Sequence, residues 1–164
     1  MAYLFVTPQI GAQPISDTSS TAKHRLGQEV KAQDSALFEA EFIYCICSNS
    51  VAQYDTVVIK GGYTIAPLTI TNGKLAAEIG FVQVANGTKD TYMWVQKNGR
   101  PLVKLALATQ KDVPLFASAT GGVLTSVSTS VLIQGIIAIT EATNSANAKT
   151  CVARYPTVNQ AKFA

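Results

Sequence analysis

From Glu41 to Tyr155 the chain consists of short runs rich in β-branched and aromatic residues, cut at close intervals by Gly, Asn, Asp and Thr. No stretch sustains a helical period. Such a pattern buries apolar side chains by pairing strands, and it has no segments for the long crossover helices of a parallel α/β sheet. Strands are expected at Glu41–Cys47, Asp55–Lys60, Ile65–Thr71, Gly80–Ala85, Thr91–Gln96, Pro101–Ala106, Leu115–Ser118, Val131–Thr140 and Lys149–Tyr155. Lys97-Asn98-Gly99-Arg100 predicts a type I′ hairpin, because Asn-Gly supplies two positive φ values. Asn72-Gly73, Asn86-Gly87 and Gly121-Gly122 predict further turns. Helix is expected only as a turn or two near Ser35–Glu39 and Leu105–Gln110. The fold class is therefore all-β, a compact barrel over residues 28–155, and 164 residues suffice for one such core without disulfides.

Both ends read differently. Pro8, Gly11 and Pro14 break regular structure, and residues 16–21 are small and polar, so residues 1–27 predict an extended arm. Its tip, Tyr3, Leu4, Phe5 and Val6, is apolar and costly to leave in water. Pro156 is expected to end the last strand, and residues 156–164 form a short tail carrying Phe163. The apolar start is short, lacks a preceding basic residue and stops at Pro8, so no secretory leader is expected. No run approaches the roughly 18 apolar residues of a membrane span. Without export, Cys45, Cys47 and Cys151 are expected to stay reduced.

Charged residues are only 14% of the chain against 48% hydrophobic, which suits a protein covered in part by other subunits. Net charge is +3 with no basic cluster, so no nucleic-acid partner is expected. The one histidine, His24, lies in the arm, where nothing rigid is expected to hold it beside a nucleophile. Neither a nucleophile elbow nor a phosphate-binding loop occurs. Cys45, Cys47, Cys151 and His24 add up to four zinc ligands on paper. Cys-x-Cys on a strand does not make a zinc knuckle, however, and core packing is the expected role of the thiols. No catalytic residue, cofactor or metal is expected. Tyr92 and Trp94 share a strand face and offer an alternative reading, a β domain stacking on carbohydrate or another host surface, although a core pair beside the hairpin is the expected role, because most aromatic pairs on strands are packing.

Leu26-Gly27-Gln28-Glu29-Val30-Lys31-Ala32, followed by Glu39-Ala40-Glu41-Phe42-Ile43-Tyr44, resembles the opening of small head-decoration (cement) proteins of tailed bacteriophages. Leu115 to Thr125 with its Gly121-Gly122 turn, then Ile133-Gln134-Gly135-Ile136-Ile137-Ala138, is similar to that family's ending. The likeness spans Leu26 to Tyr155 and lies in turns and strands. It implies a β-barrel or β-tulip module with no active site. It further implies a homotrimer on the outside of the virion that braces the major capsid protein, with no nucleic acid or membrane bound. Tyr3, Leu4, Phe5, Val6 and Phe163 are then the candidate contacts to capsid or sister subunits.

Overall fold

A computed structural model of the protein describes residues 3–5, 13–34, 38–75, 78–84, 86–142 and 148–159, with backbone alone for Tyr3 and Phe5. In chain order the strands are β1 (Tyr3–Phe5), β2 (Thr18–Ser19), β3 (Glu29–Asp34), β4 (Glu39–Cys47), β5 (Thr56–Lys60), β6 (Thr64–Pro67), β7 (Glu78–Phe81), β8 (Tyr92–Gly99), β9 (Leu102–Lys104), β10 (Leu115–Ala117), β11 (Leu124–Thr125), β12 (Leu132–Ala138) and β13 (Ala148–Asn159). A 3-10 turn (Gly61–Tyr63) and one four-residue helix, α1 (Ile70–Gly73), interrupt them. The chain is all-β, and six of its strands close into a barrel. Following the pairings, β4 runs to β6, β5, β7, β13 and β8, and β8 returns to β4. The β4–β6 pair is parallel, with Ile46 opposite Thr64 and Cys47 opposite Ile65, and the other five are antiparallel.

The wall strands bury both faces, so they read as apolar runs without alternation. On β5, Val57 and Ile59 enter one core and Val58 the other. The first core holds Ile43, Cys45, Cys47, Met93 and Val95 together with Phe42, Tyr44 and Trp94. The second lies where β10 to β13 meet the barrel, and holds Phe81, Leu105, Leu115, Leu124, Ile133 and Ile136.

Tyr44 and Trp94 stand opposite each other on β4 and β8, on the same face, and residues 13–27 cover them. Gln13 is the pin. Its carbonyl accepts the Trp94 indole N–H at 2.9 Å, its side-chain oxygen accepts the Tyr44 hydroxyl at 2.8 Å, and its backbone N–H donates to His24 Nε2 at 2.9 Å. The rings of His24, Tyr44 and Trp94 lie with centroids 4.9 to 5.1 Å apart. Ile15 joins the first core, and Thr18–Ser19 pairs with β8. The expectation of an arm running off the barrel from residue 1 to 27 therefore fails for residues 13–27, because the outer face of β4 and β8 is apolar and needs a cover. It fails also for His24, which is held as an acceptor at Nε2.

All nine expected strands are present, with shifted ends. The hairpin at Asn98-Gly99 is not. Only Gly99 has positive φ, at 110°, and β8 does not pair with β9. Both strands instead pair in series with β13, Gly99 opposite Ala153 and Leu102 opposite Thr150. The long partner strand overrides the local turn preference. Asn72-Gly73 closes α1, where Asn72 and Thr69 exchange side-chain hydrogen bonds with each other's backbone. Gly121-Gly122 does link an antiparallel pair, β10 and β11, with Gly122 at φ 77°. Of the helical expectations, Leu105–Gln110 is irregular chain, Ser35–Leu37 lies outside the described residues, and Glu39 opens β4. Pro156 does not end β13: it falls where the register with β12 slips, so its missing N–H breaks no ladder bond.

Gly99 carries the tightest backbone approach, since a Cβ there would lie 2.5 Å from the Glu39 carbonyl oxygen. Gly99→Ala is expected to destabilise the fold by about 1–3 kcal/mol for the left-handed backbone alone, with the clash in addition. Chemical denaturation against wild type checks it, and a loss below about 0.5 kcal/mol would contradict it.

Candidate interaction surfaces

The first surface gathers around β1. Tyr3 stands opposite Asp34, Leu4 opposite Gln33 and Phe5 opposite Ala32, so the arm's tip is an antiparallel strand at one end of the strand order. Leu4 is 76% exposed. At the same end, the β3–β4 connection sets the Asp34 backbone N–H against the Phe38 carbonyl at 3.0 Å. Phe38 is exposed, and the Arg100 guanidinium lies 4.1 Å from its ring centroid. Of the five contacts expected from sequence, Leu4 is placed in full and Tyr3 and Phe5 by backbone. Val6 and Phe163 lie outside the described residues.

A second surface is an apolar groove of about 380 Å³ lined by Phe116, Leu132, Pro114, Lys74, Asn159 and the residues 128–130. Leu75, next to Lys74, is 86% exposed, and Val127, next to Ser128, is 69% exposed. No local signal along the chain marks this groove, because its walls come from the end of α1, from β10, β12 and β13 and from residues 128–130.

Several titratable groups hold strands together. Lys97 on β8 meets Glu78 of β7 at 2.5 Å and Glu29 of β3 at 3.2 Å. Burial alone would lower its pKa, but hydrogen bonds and charge from Glu78 and Glu29 outweigh this and raise it, so the ammonium stays charged and is no nucleophile. Beside it, the Tyr155 hydroxyl donates to Glu41, which also lies 3.5 Å from Lys31. That hydrogen bond raises the Tyr155 pKa. Tyr155 sits at φ 45°, a conformation non-glycine residues rarely adopt, at the irregular stretch of β13. Lys104 and Asp55 form a further pair at 2.7 Å.

Cys45 and Cys47 lie in the first core and Cys151 in the second, all free and fully buried. Burial pushes the Cys47 thiol up to about 11 and Cys151 up to about 12, and drives Cys45 higher still, with the Glu78 charge adding to it. They are protonated fillers, as expected from sequence, and Cys47 Sγ rests 3.5 Å from Met93 Sδ. His24 is engaged elsewhere, with Gln13, Tyr44 and Trp94 as its partners. Among the described residues no three His, Cys, Asp or Glu side chains are grouped to hold a metal, and no helix is long and apolar enough to cross a membrane. Trp94 is fully buried with its indole N–H satisfied, so it offers no stacking platform, and Tyr92 stacks on Tyr44 at 6.1 Å. Compared with protein-family models, curated proteins and solved structures, the chain matches none.

The raised thiols set a pH window. Free thiols in the unfolded chain ionise near pH 8.5, whereas those in the folded chain resist ionisation to about 11 and 12. The stabilisation is therefore complete below about pH 8.5 and declines as pH rises toward the folded values, by about 1.4 kcal/mol per pH unit for each thiol. Melting temperature should hold steady from pH 6 to 8 and fall steeply above pH 9, and the fall should be shallower in a variant with Cys45, Cys47 and Cys151 all replaced by Ala. Equal alkaline slopes for the two proteins would contradict this assignment.

Proposed function

We propose that the protein is a structural virion subunit, a decoration (cement) protein that binds the outer surface of a bacteriophage capsid shell and braces its major capsid protein. The observation that carries this reading is the division of labour between interior and edge. The histidine, the three thiols and Lys97 are all consumed in holding the fold, while an apolar side chain, Leu4, stands exposed on a strand at the end of the sheet. The sequence resemblance over Leu26 to Tyr155 supports the same reading, and so does the low charge, 14% of residues. This reading gives the barrel rigidity to lend to a shell rather than a reaction to catalyse.

Capsid attachment is assigned to β1 and the residues around it, Tyr3, Leu4, Phe5 and Val6. Tyr3 to Phe5 lie where an extended segment of a partner can add backbone hydrogen bonds to the sheet. The partners are the major capsid protein and sister copies in a homotrimer on the particle's exterior.

Removing residues 1–12 leaves Gln13, Ile15 and His24 in place, so the truncated protein is expected to fold and melt close to wild type while binding decoration-free particles at least about tenfold more weakly. Leu4→Asp should weaken binding in the same direction. Sedimentation of labelled protein with such particles measures both. Equal binding by all three proteins would refute attachment through β1, and binding by none, wild type included, would refute the capsid reading itself.

A further inference from the structure

We propose that the outward face of β12 and β13, around Ile137, Val152 and Arg154, docks an extended acidic segment of a partner protein, with an apolar side chain on Ile137 and Val152 and a carboxylate on Arg154. This surface is separate from β1, and the inference does not depend on the capsid reading. Strand alternation makes the face. Cys151 and Ala153 of β13 are buried in the second core, so Val152 and Arg154 point outward. On β12, Ile136 and Ala138 enter the same core, while Ile137 stands opposite Val152 and is 50% exposed. Leu102 of β9 and Ile139 extend the apolar strip, both partly exposed. Leu102 lies opposite Thr150, and the Ile139 N–H donates to the Thr150 carbonyl at 3.1 Å. A hollow of about 380 Å³ lies beside Ile137, Val152 and Arg154, where the register between β12 and β13 slips at Gly135.

Charge selects the occupant. β9, β12 and β13 contribute Lys104, Lys149 and Arg154 and no aspartate or glutamate. Lys104 is paired with Asp55 at 2.7 Å. Arg154 is exposed and joins no ion pair among the described residues. In its own cross-strand row, Arg154 to Asn98 to Glu41, the carboxylate is taken by Lys31 and the Tyr155 hydroxyl. A guanidinium left open beside an apolar hollow fits a carboxylate, which it can grip through two parallel N–H donors. Val152 and Arg154 are two positions apart on one strand, about 7 Å, and side chains on one face of an extended segment have the same spacing. A partner segment with an apolar residue two positions from an acidic one therefore meets both at once. A second copy of this chain laid face to face would bring the same apolar and cationic strip with no carboxylate from these strands, so charge favours a different partner.

Amide chemical shifts of the full chain, followed by nuclear magnetic resonance, test this with two synthetic peptides: acetyl-Thr-Ile-Thr-Asp-Thr-amide and the same peptide with Lys in place of Asp. The Asp peptide should shift residues 135–137 and 152–154 with a dissociation constant in the millimolar range, the affinity that one apolar contact and one solvent-screened ion pair provide. The Lys peptide should bind at least about tenfold more weakly, and Arg154→Gln should weaken binding of the Asp peptide at least about threefold while melting as wild type does. No shifts at those residues, equal binding of the two peptides, or undiminished binding by Arg154→Gln would each overturn the proposal. So would self-association of the wild type that Arg154→Gln abolishes, which would assign the face to a second copy. If Arg154→Gln melts below wild type, the comparison of the two peptides on the wild type decides.

Discussion

The outer face of the β4–β8 pair is too apolar to meet water, and covering it is the constraint on which the rest of the architecture depends. Tyr44 and Trp94 project from that face, and each carries one polar atom that must be satisfied once buried. Gln13 satisfies both, with its carbonyl on the indole and its side-chain oxygen on the phenol. The same residue's N–H fixes His24, and His24 closes the ring cluster from above. One residue thus converts a loose polar segment into a lid. With the lid in place, Trp94 and Met93 can occupy opposite faces of one strand, both fully buried, and the barrel wall becomes shared structure between two apolar layers.

β13 plays the corresponding part on the other side. It pairs in turn with β9, β12, β8 and β7, so a single strand binds the barrel to the second core. This explains why the irregularity at Tyr155 and Pro156 is tolerated. The strand has to change partners there, and a left-handed residue followed by one without an N–H falls at the point of change. Ion pairs reinforce the junction: Lys97 of β8 draws together Glu29 of β3 and Glu78 of β7, and the Tyr155 hydroxyl reaches Glu41 of β4.

How much of this could be read from the sequence depends on whether the signal was local. The strand-forming runs were legible because Val57, Val58 and Ile59, or Ile133 to Ala138, announce themselves by composition. Gly122 was legible as a turn because its positive φ, 77°, suits glycine and the two strands it joins pair with each other. Asn98-Gly99 misled for the opposite reason: a local hairpin preference of the order of 1 kcal/mol is outweighed by pairing with a strand more than fifty residues downstream. β3 was readable in principle from the alternation in Glu29-Val30-Lys31-Ala32, whose burial alternates accordingly. The Gln13 pin was not, since it joins a backbone carbonyl to a side chain 81 positions away and leaves no periodic trace. Of the candidate contacts, the apolar tip at Leu4 was visible as sticky sequence. The groove was invisible because its walls converge only in the fold.

A barrel sealed by residues 13–27 fits the proposed bracing role, because the proposed attachment through β1 need not disturb the layer beneath. The claim beneath all of this is that residues 13–27 belong to the core. The fluorescence of Trp94, the only tryptophan in the chain, measures it directly when a protein beginning at Gln13 is compared with one beginning at Gln28. The first should retain the blue-shifted emission of a buried indole and melt as a single unit. The second should emit at longer wavelength and lose several kcal/mol of stability, since it exposes Trp94 and Tyr44 and leaves both polar atoms without their partner. Indistinguishable emission and melting in the two proteins would contradict the account.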